Sequence, residues 1–269
     1  MDGGKPAEAL RGKAFGRRHS AWSLEVNKMD KAINKITKYL PAFDSQYLQK
    51  QFLVMNQLSG AQRIFKRISS TADKEEIKDY IIEVWYSLVF IALAFHVEIE
   101  PLGKQGPDLK VSRDGNHAFV EIMRFRKIYP GPPEFNLSDG RETLSDYGNI
   151  KRDVEKAFGK ILNKFSQVGN GNSIIAIWND DGDMDDIHVK TAVMKLVEDA
   201  NKKIILLPEG LFAVIYGSEW VHIGDKKQLY CFPLKRSQHS YQATWQKELE
   251  SMTIREFINK ALNKLQEDF

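Results

Sequence analysis

The chain has 269 residues, of which 42% are hydrophobic and 11% aromatic, enough for a globular core in one α/β domain with additions or in two small domains. Its formal net charge of +3 is only mildly basic, so the overall charge does not by itself indicate a nucleic-acid partner. A single cysteine excludes an intramolecular disulfide framework and a cysteine-based zinc cluster, and it fits a reducing compartment, with the cytoplasm as the default.

We looked in the sequence for secretory and membrane-spanning segments and expect neither. Residues 1–20 contain basic residues but no apolar stretch after them, so we expect no secretory signal and predict a flexible basic arm over 1–23. The longest apolar run, about 84–97, is shorter than the roughly 20 residues that span a bilayer. We therefore expect no membrane partner.

Residues 24–71 are predicted to form a helical N-terminal region, because their apolar residues recur at helical intervals, with Pro41 as an interruption. The same region has few acids and many basic residues, namely Lys28, Lys31, Lys35, Lys38, Lys50, Arg63, Lys66 and Arg67. These could form a basic face, but we prefer the interpretation that they belong to an ordinary solvated helix surface.

A long helix follows, with Thr71 or Asp73 as its cap and acidic residues in its first turn. Its apolar positions cover more than half of its circumference, so we expect it to lie deep against a sheet. One polar stripe interrupts this surface, and Glu83 belongs to it.

The remaining elements predict a mixed sheet flanked by helices, which is an α/β fold. Strands are expected at 95–102, 108–113 and 117–126, the last two joined by the turn signal of residues 114–116. The later elements are a helix at 144–167, a buried strand at 173–179, a helix at 186–200, strands at 203–207, 211–217 and 219–224, and a helix at 241–267.

Two acidic residues stand where neutral ones would satisfy strand alternation: Asp108 opens one predicted strand and Glu121 lies inside the next. If these strands pair, Asp108 falls near residues 122–124, within side-chain reach of Glu121 on the same sheet face. Carboxylates held close together repel each other, so a folded domain that keeps both usually places a cation between them. Oxygen ligands suit Mg²⁺ or Mn²⁺, which promote phosphodiester hydrolysis by polarising the phosphate and activating water. Ordinary surface ion pairs are the alternative, with partners such as Lys110, Arg124 and Arg126.

The Pro107-Asp108 dipeptide, followed by Glu121-Ile122-Met123 between an acidic helix and a second helix, resembles the PD-(D/E)XK nuclease superfamily. The resemblance covers about residues 73–180, and it implies a restriction-endonuclease-like domain that we place over 72–269. In this superfamily the two acids bind the metal ion. The resemblance thus implies Asp108 and Glu121 as ligands, with Ile122 supplying a main-chain carbonyl.

The resemblance also implies a ligand from the preceding helix, where Glu83 is the best-placed acid and Glu98 and Glu100 compete from the first strand. It departs from the family at Met123, where a catalytic lysine is expected, because a thioether carries no charge and accepts no proton usefully. Either the lysine has migrated, with Lys151 as the preferred substitute ahead of Lys110, Arg124 and Lys127, or the protein binds nucleic acid or assembles a complex without cleaving it.

The predicted activity is therefore that of a metal-dependent nuclease acting on DNA or RNA. Phosphates would be contacted by Arg124, Arg126 and Lys127, which leave the predicted metal strand together. A homodimer is an open alternative to a monomer. The acidic segment 179–187 lacks glycine at the sixth position and the terminal glutamate of a calcium-binding EF-hand loop, so a turn with Asp185 or Asp186 capping the next helix is expected there.

Overall fold

A computed structural model describes residues 27–103, 106–126, 146–168, 171–180, 184–218, 229–234 and 240–267. The chain divides into two compact units, of which the first ends at Tyr80 and the second begins at Ile81. The predicted arm over 1–23 lies outside the described residues. Among the helices that are described, none is long and apolar enough to cross a membrane.

The first unit is helical, as its apolar periodicity predicts. Helix α1 covers 27–39, α2 covers Ser45–Met55 and α3 covers Ala61–Ser70. The Asp44 carboxylate caps α2 by accepting a 2.7 Å hydrogen bond from the Tyr47 N–H. Phe52 of α2 stacks on Phe65 of α3 with ring centroids 4.9 Å apart, which joins the apolar faces of these two helices.

Helix α4, Lys74–Ala92, begins in the first unit and continues into the second. The second unit then contains β1 His96–Ile99, β2 Leu109–Arg113, β3 Asn116–Phe125, α5 Asp146–Lys164, β4 Ser173–Asn179, α6 Asp186–Asn201, β5 Leu211–Ser218, β6 Leu229–Pro233, α7 Ser240–Leu249 and α8 Ile254–Glu267. The strands form one sheet in the order β1-β2-β3-β4-β5-β6, in which β3, β4 and β5 run parallel and the other neighbours antiparallel. The predicted α/β class, with a mixed sheet flanked by helices, is confirmed.

Helices cover both faces of the central strands. On one face, the Tyr86 hydroxyl of α4 donates a 2.6 Å hydrogen bond to the Ile177 carbonyl, and Trp85 packs edge-on against Trp178. On the other face, side chains of α5 and α6 such as Ile161 and Val193 share a core with alternate residues of β3, β4 and β5. Strand β4 is buried throughout, as its continuous apolar run predicts.

A two-residue turn at Asp114-Gly115 connects β2 to β3 and fixes their register. Both turn residues have positive φ, 52° and 77°, which is the type I′ geometry that matches strand twist and favours Asp-Gly. Arg113 therefore pairs directly with Asn116, which belongs to β3 rather than to the turn. The hairpin prediction is confirmed, and its register is set by a turn one residue shorter than expected.

Some predicted elements differ from the structure. The strand predicted at 203–207 is wrong, because these residues form turn and coil in which Ile204 and Leu206 are exposed. The strand predicted at 219–224 lies outside the described residues, and β6 was not predicted. The single C-terminal helix is instead two helices, because Thr253 and Glu256 cap the start of α8 reciprocally: each main-chain N–H donates to the other's side chain.

The contribution of the hairpin turn to stability can be measured by substitution of its glycine. Gly115→Ala should lower the free energy of unfolding by about 1 to 2 kcal/mol, because a Cβ is strained at φ 77°. Gly159 is a matched control: it lies within α5 with open space around its Cα, so Gly159→Ala should raise stability by roughly 0.5 to 1 kcal/mol. Urea unfolding measures both, and equal effects of the same sign would contradict the turn's role.

Candidate functional site

Glu121 is a buried carboxylate on the face of the sheet that α5 covers. Its side chain is only 7% exposed, and its Oε1 accepts a 2.6 Å hydrogen bond from Lys164 Nζ in the last turn of α5. Burial raises the pKa of Glu121 above its usual range, and the hydrogen bond and charge of Lys164 partly oppose that rise. A lysine ammonium therefore compensates this carboxylate in the folded chain.

The second carboxylate oxygen of Glu121 has a different environment. Its Oε2 is buried and has no hydrogen-bond partner among the described residues. A buried carboxylate oxygen without a partner costs free energy, because it loses its water ligands and gains nothing in exchange. This atom is consequently suited to accept a ligand that binds oxygen, such as a hard cation or an ordered water.

Asp108 meets the same point of β3 from the end of β2. Its Oδ2 accepts a 2.7 Å hydrogen bond from the main-chain N–H of Ile122, the residue directly after Glu121. Because Leu109 pairs with Val120, Asp108 stands opposite Glu121, close to the predicted position near 122–124. The N–H and C=O of one extended residue point to the same neighbouring strand, so the Ile122 carbonyl also faces the Asp108 side.

A third acid, Glu100, lies in line with these two. Its main-chain N–H donates a 2.7 Å hydrogen bond to the Asp108 carbonyl, and Ile99 pairs with Leu109, so register places Glu100, Asp108 and Glu121 in one row across three strands. Glu100 is buried and adopts a positive φ of 47°, which turns the chain away from regular strand geometry. Glu100, which competed with Glu83 of the preceding helix as the third ligand, is thus next to Asp108 by strand register.

Glu83 is placed elsewhere. Arg124 pairs with Trp178 in the β3–β4 register, and successive residues of a strand alternate between faces, so Trp178 lies on the face opposite Glu121. Trp85 and Tyr86 pack on Trp178, which puts their helix α4 on that opposite face. Glu83 is buried on α4, the helix that covers the face opposite to the one on which Glu121 meets Lys164, and its role as a ligand stays a prediction.

The donor set therefore consists of carboxylate and main-chain oxygens. Within the part of the chain that is described, no three His, Cys, Asp or Glu side chains form a group that could hold a metal ion. Asp108, Glu121 and the Ile122 carbonyl provide only oxygen atoms as potential metal ligands, two of the groups being carboxylates. Mg²⁺ is commonly held by one or two carboxylates, with waters and substrate phosphate completing its shell, so the chemistry of these donors fits that ion.

The lysine that reaches Glu121 was missed from the sequence. Met123 is partly buried against the apolar core beneath α5 and α6. Lys151, the substitute expected from the sequence, is exposed near the start of α5, and its separation from Lys164 corresponds to roughly 20 Å along the helix axis. Since α5 must end near the start of β4 to enter the parallel sheet, a lysine in its last turn was the better candidate by topology.

The residues expected to contact phosphate are in different environments. The Arg124 side chain is only 2% exposed and its Nη1 lies 2.7 Å from Asp180 Oδ2, so this guanidinium is committed to a buried ion pair. Arg126 is exposed at the end of β3, and Lys127 lies outside the described residues. Phosphate binding at this place therefore remains a prediction that depends on Arg126.

No known protein family, curated protein or solved structure matches this chain. The functional interpretation consequently rests on the geometry of Asp108, Glu121 and Lys164.

The Glu121–Lys164 pair predicts a measurable loss of stability. Lys164→Met should lower the free energy of unfolding by about 3 kcal/mol, because it leaves a buried carboxylate without its cation. Adding Glu121→Gln in the same chain should restore most of the loss, since a neutral amide needs no counter-charge. Urea unfolding of the two single variants and the double variant measures this coupling.

Lys260→Met serves as the control for that prediction. It removes the ion pair of Lys260 with Glu248, whose side chains are 45% and 32% exposed, so the loss should stay below about 1 kcal/mol. Equal losses in the two lysine variants would show that burial of Glu121 does not determine the effect.

Proposed function

We propose that this protein is a Mg²⁺- or Mn²⁺-dependent nuclease that hydrolyses phosphodiester bonds in DNA or RNA, on a core of the PD-(D/E)XK kind. The observation that supports this most is the hydrogen bond between Asp108 and the Ile122 N–H, which brings two acids to one point of the β2–β3 ladder. Lys164 reaches the same point from α5. Two acids and a lysine are the side chains that this chemistry needs.

The residues that would hold the ion are Asp108, Glu121 through its buried Oε2, and the main-chain carbonyl of Ile122. A divalent ion bound there supplies polarisation of the phosphate and a lowered pKa of a bound water. Support for Asp108 in this role comes from the Ile122 N–H, which donates to its Oδ2 and so holds the carboxylate beside β3. A third carboxylate would come from Glu83, Glu98 or Glu100, of which Glu100 is next to Asp108 by register. Its side chain would have to move on metal binding, because no three acids form a group in the described part of the chain.

Lys164 takes the role that Met123 cannot perform. An ammonium has three N–H donors, and two of those of Lys164 are used, on Glu121 Oε1 and on Gln167 Oε1, each at 2.6 Å. The third is left to bind a phosphate oxygen or a water. These two contacts also hold the ammonium in one position, which reduces the cost of ordering a flexible side chain.

A second function is favoured by a specific observation. Lys164 already neutralises Glu121 in the folded chain, and Met123 leaves the strand itself without a lysine. These features also fit a degenerate relative that binds nucleic acid or assembles a complex without cleavage. In either case we infer a reducing location such as the cytoplasm, because the only cysteine, Cys231, is a buried thiol.

Cleavage assays with Mn²⁺ on single- and double-stranded DNA and RNA test the proposal. Asp108→Ala should reduce the rate by at least about 10²-fold, and Lys164→Met by about 10²- to 10⁴-fold, the effect of removing one positioned acid–base group. Lys151→Met, the same substitution near the other end of α5, should leave the rate unchanged.

Each outcome separates the candidates. Activity that survives Asp108→Ala would refute the site. A rate that falls with Lys151→Met but not with Lys164→Met would return the catalytic role to Lys151. Salt-dependent binding by a wild-type protein that shows no metal-dependent cleavage would establish the non-cleaving function instead.

A further inference from the structure

The lysines of α1 form a single stripe along the helix. Lys28, Lys31, Lys35 and Lys38 are spaced three, four and three residues apart, which places them on one face. The apolar face of the same helix, with Met29, Ile33 and Ile36, is buried in the first unit, as is Leu40 directly after it. Lys35 and Lys38 both lie over the Tyr39 ring, at 5.0 and 5.7 Å from its centroid. Burial of one face therefore directs the lysines outward.

Helix α3 repeats this arrangement. Arg63, Lys66 and Arg67 lie three and four residues apart, on the side opposite the buried Ile64, Phe65 and Ile68. Arg63 and Lys66 are exposed, and Arg67 also lies over the Tyr80 ring at 5.6 Å. The first unit thus presents a basic stripe on each of two helices, and Lys50 on α2 is exposed as well.

Acids are few in this region. Residues 27–70 contain only two, Asp30 and Asp44, against the eight basic residues named above. The other acids of the described part of the first unit, Asp73, Glu75, Glu76 and Asp79, belong to α4 or directly precede it. Asp44 is the cap of α2, and Asp30 lies off the lysine face of α1. Among the described residues, no carboxylate pairs with the lysines of α1 or with Lys66. A solvated helix surface ordinarily mixes both signs of charge, so this one-sided distribution calls for an anionic partner.

We propose that the first unit is a nucleic-acid-holding module that contacts phosphates through the basic stripes of α1 and α3. The sugar-phosphate backbone of a nucleic acid presents closely spaced negative charges, which complement lysines repeated along a helix. An anionic membrane is less suitable, because surface helices that bind bilayers insert an apolar face. The apolar faces of α1 and α3 are already buried in the protein, with side chains at most 6% exposed at Met29, Ile33, Ile64 and Phe65.

This module is independent of cleavage, since binding needs phosphates and not the metal site. It deepens the proposed function by naming the part of the chain that holds the substrate. The test is accordingly made on the full chain in EDTA, where no divalent ion is present. Fluorescence anisotropy with a short labelled DNA duplex, its single strand and the matching RNA gives the affinity over about 50 to 200 mM salt.

The variant is Lys28→Gln/Lys31→Gln/Lys66→Gln, which removes three exposed charges that have no partner among the described residues. The slope of log affinity against log salt should fall by about three, and binding at about 0.1 M salt should weaken on the order of 10²-fold. The control, Lys190→Gln/Lys247→Gln/Lys264→Gln, makes the same charge change at exposed lysines of the second unit and should alter neither quantity. If the triple variant does not fold, Lys66→Gln alone should lower the slope by about one.

Equal losses in the two triple variants would refute the module, because net charge alone would then explain binding. An unchanged slope in the first variant, or wild-type protein that binds anionic vesicles but no nucleic acid, would refute it as well. Binding that fails in the first variant only, with no cleavage under Mn²⁺, would support the module and refute the nuclease. Cleavage under Mn²⁺, together with the same salt slope in wild-type protein and in the first variant, would support the nuclease and refute the module.

Discussion

A carboxylate buried on the face of a sheet must be compensated, and in this protein that requirement organises the candidate site. Glu121 lies in the middle of β3 beneath α5, and burial acts against its charge. Lys164 compensates one oxygen, while the other has no hydrogen-bond partner among the described residues. The last turn of α5 is thereby joined to the central strand by an ion pair, and an open acceptor is left beside Asp108. Stability and the proposed chemistry depend on the same side chain.

The register of the β2–β3 hairpin decides whether this acceptor can take part in a site. Because side chains alternate along a strand, a slip of one residue would move Glu121 to the α4 face, where Trp178 packs against Trp85 and Tyr86. The type I′ turn at Asp114-Gly115 prevents that slip, and it also places Asp108 opposite Glu121. A local backbone preference of two residues therefore controls the meeting of two acids that are distant from it.

The sequence was sufficient for those features that depend on local patterns. Alternation and an Asp-Gly turn predicted the hairpin, and an uninterrupted apolar run predicted the buried strand β4. The strand expected at 203–207 is wrong: this segment forms turn and coil, with Ile204 and Leu206 exposed and Ile205 packed against the core, and an apolar run does not distinguish such a segment from a strand. Lys164 was missed because Lys151 and Lys164 belong to the same helix α5, and only the last turn of that helix, which leads towards β4, reaches Glu121. Spacing within α5 does not show which of its turns approaches the carboxylate, because that depends on how the helix packs on the sheet.

The methionine at 123 has a physical explanation in this packing. Met123 points to the same face as Glu121 and packs against the core that α5 and α6 share with the sheet. An ammonium at that position would have to be desolvated against apolar side chains, which is costly. Lys164 supplies the charge from the end of the helix, where its side chain stays 24% exposed and can keep part of its hydration. The two positions are thus complementary. Met123 completes the apolar core, and the Lys164 ammonium reaches Glu121 from the end of α5 at the edge of that core.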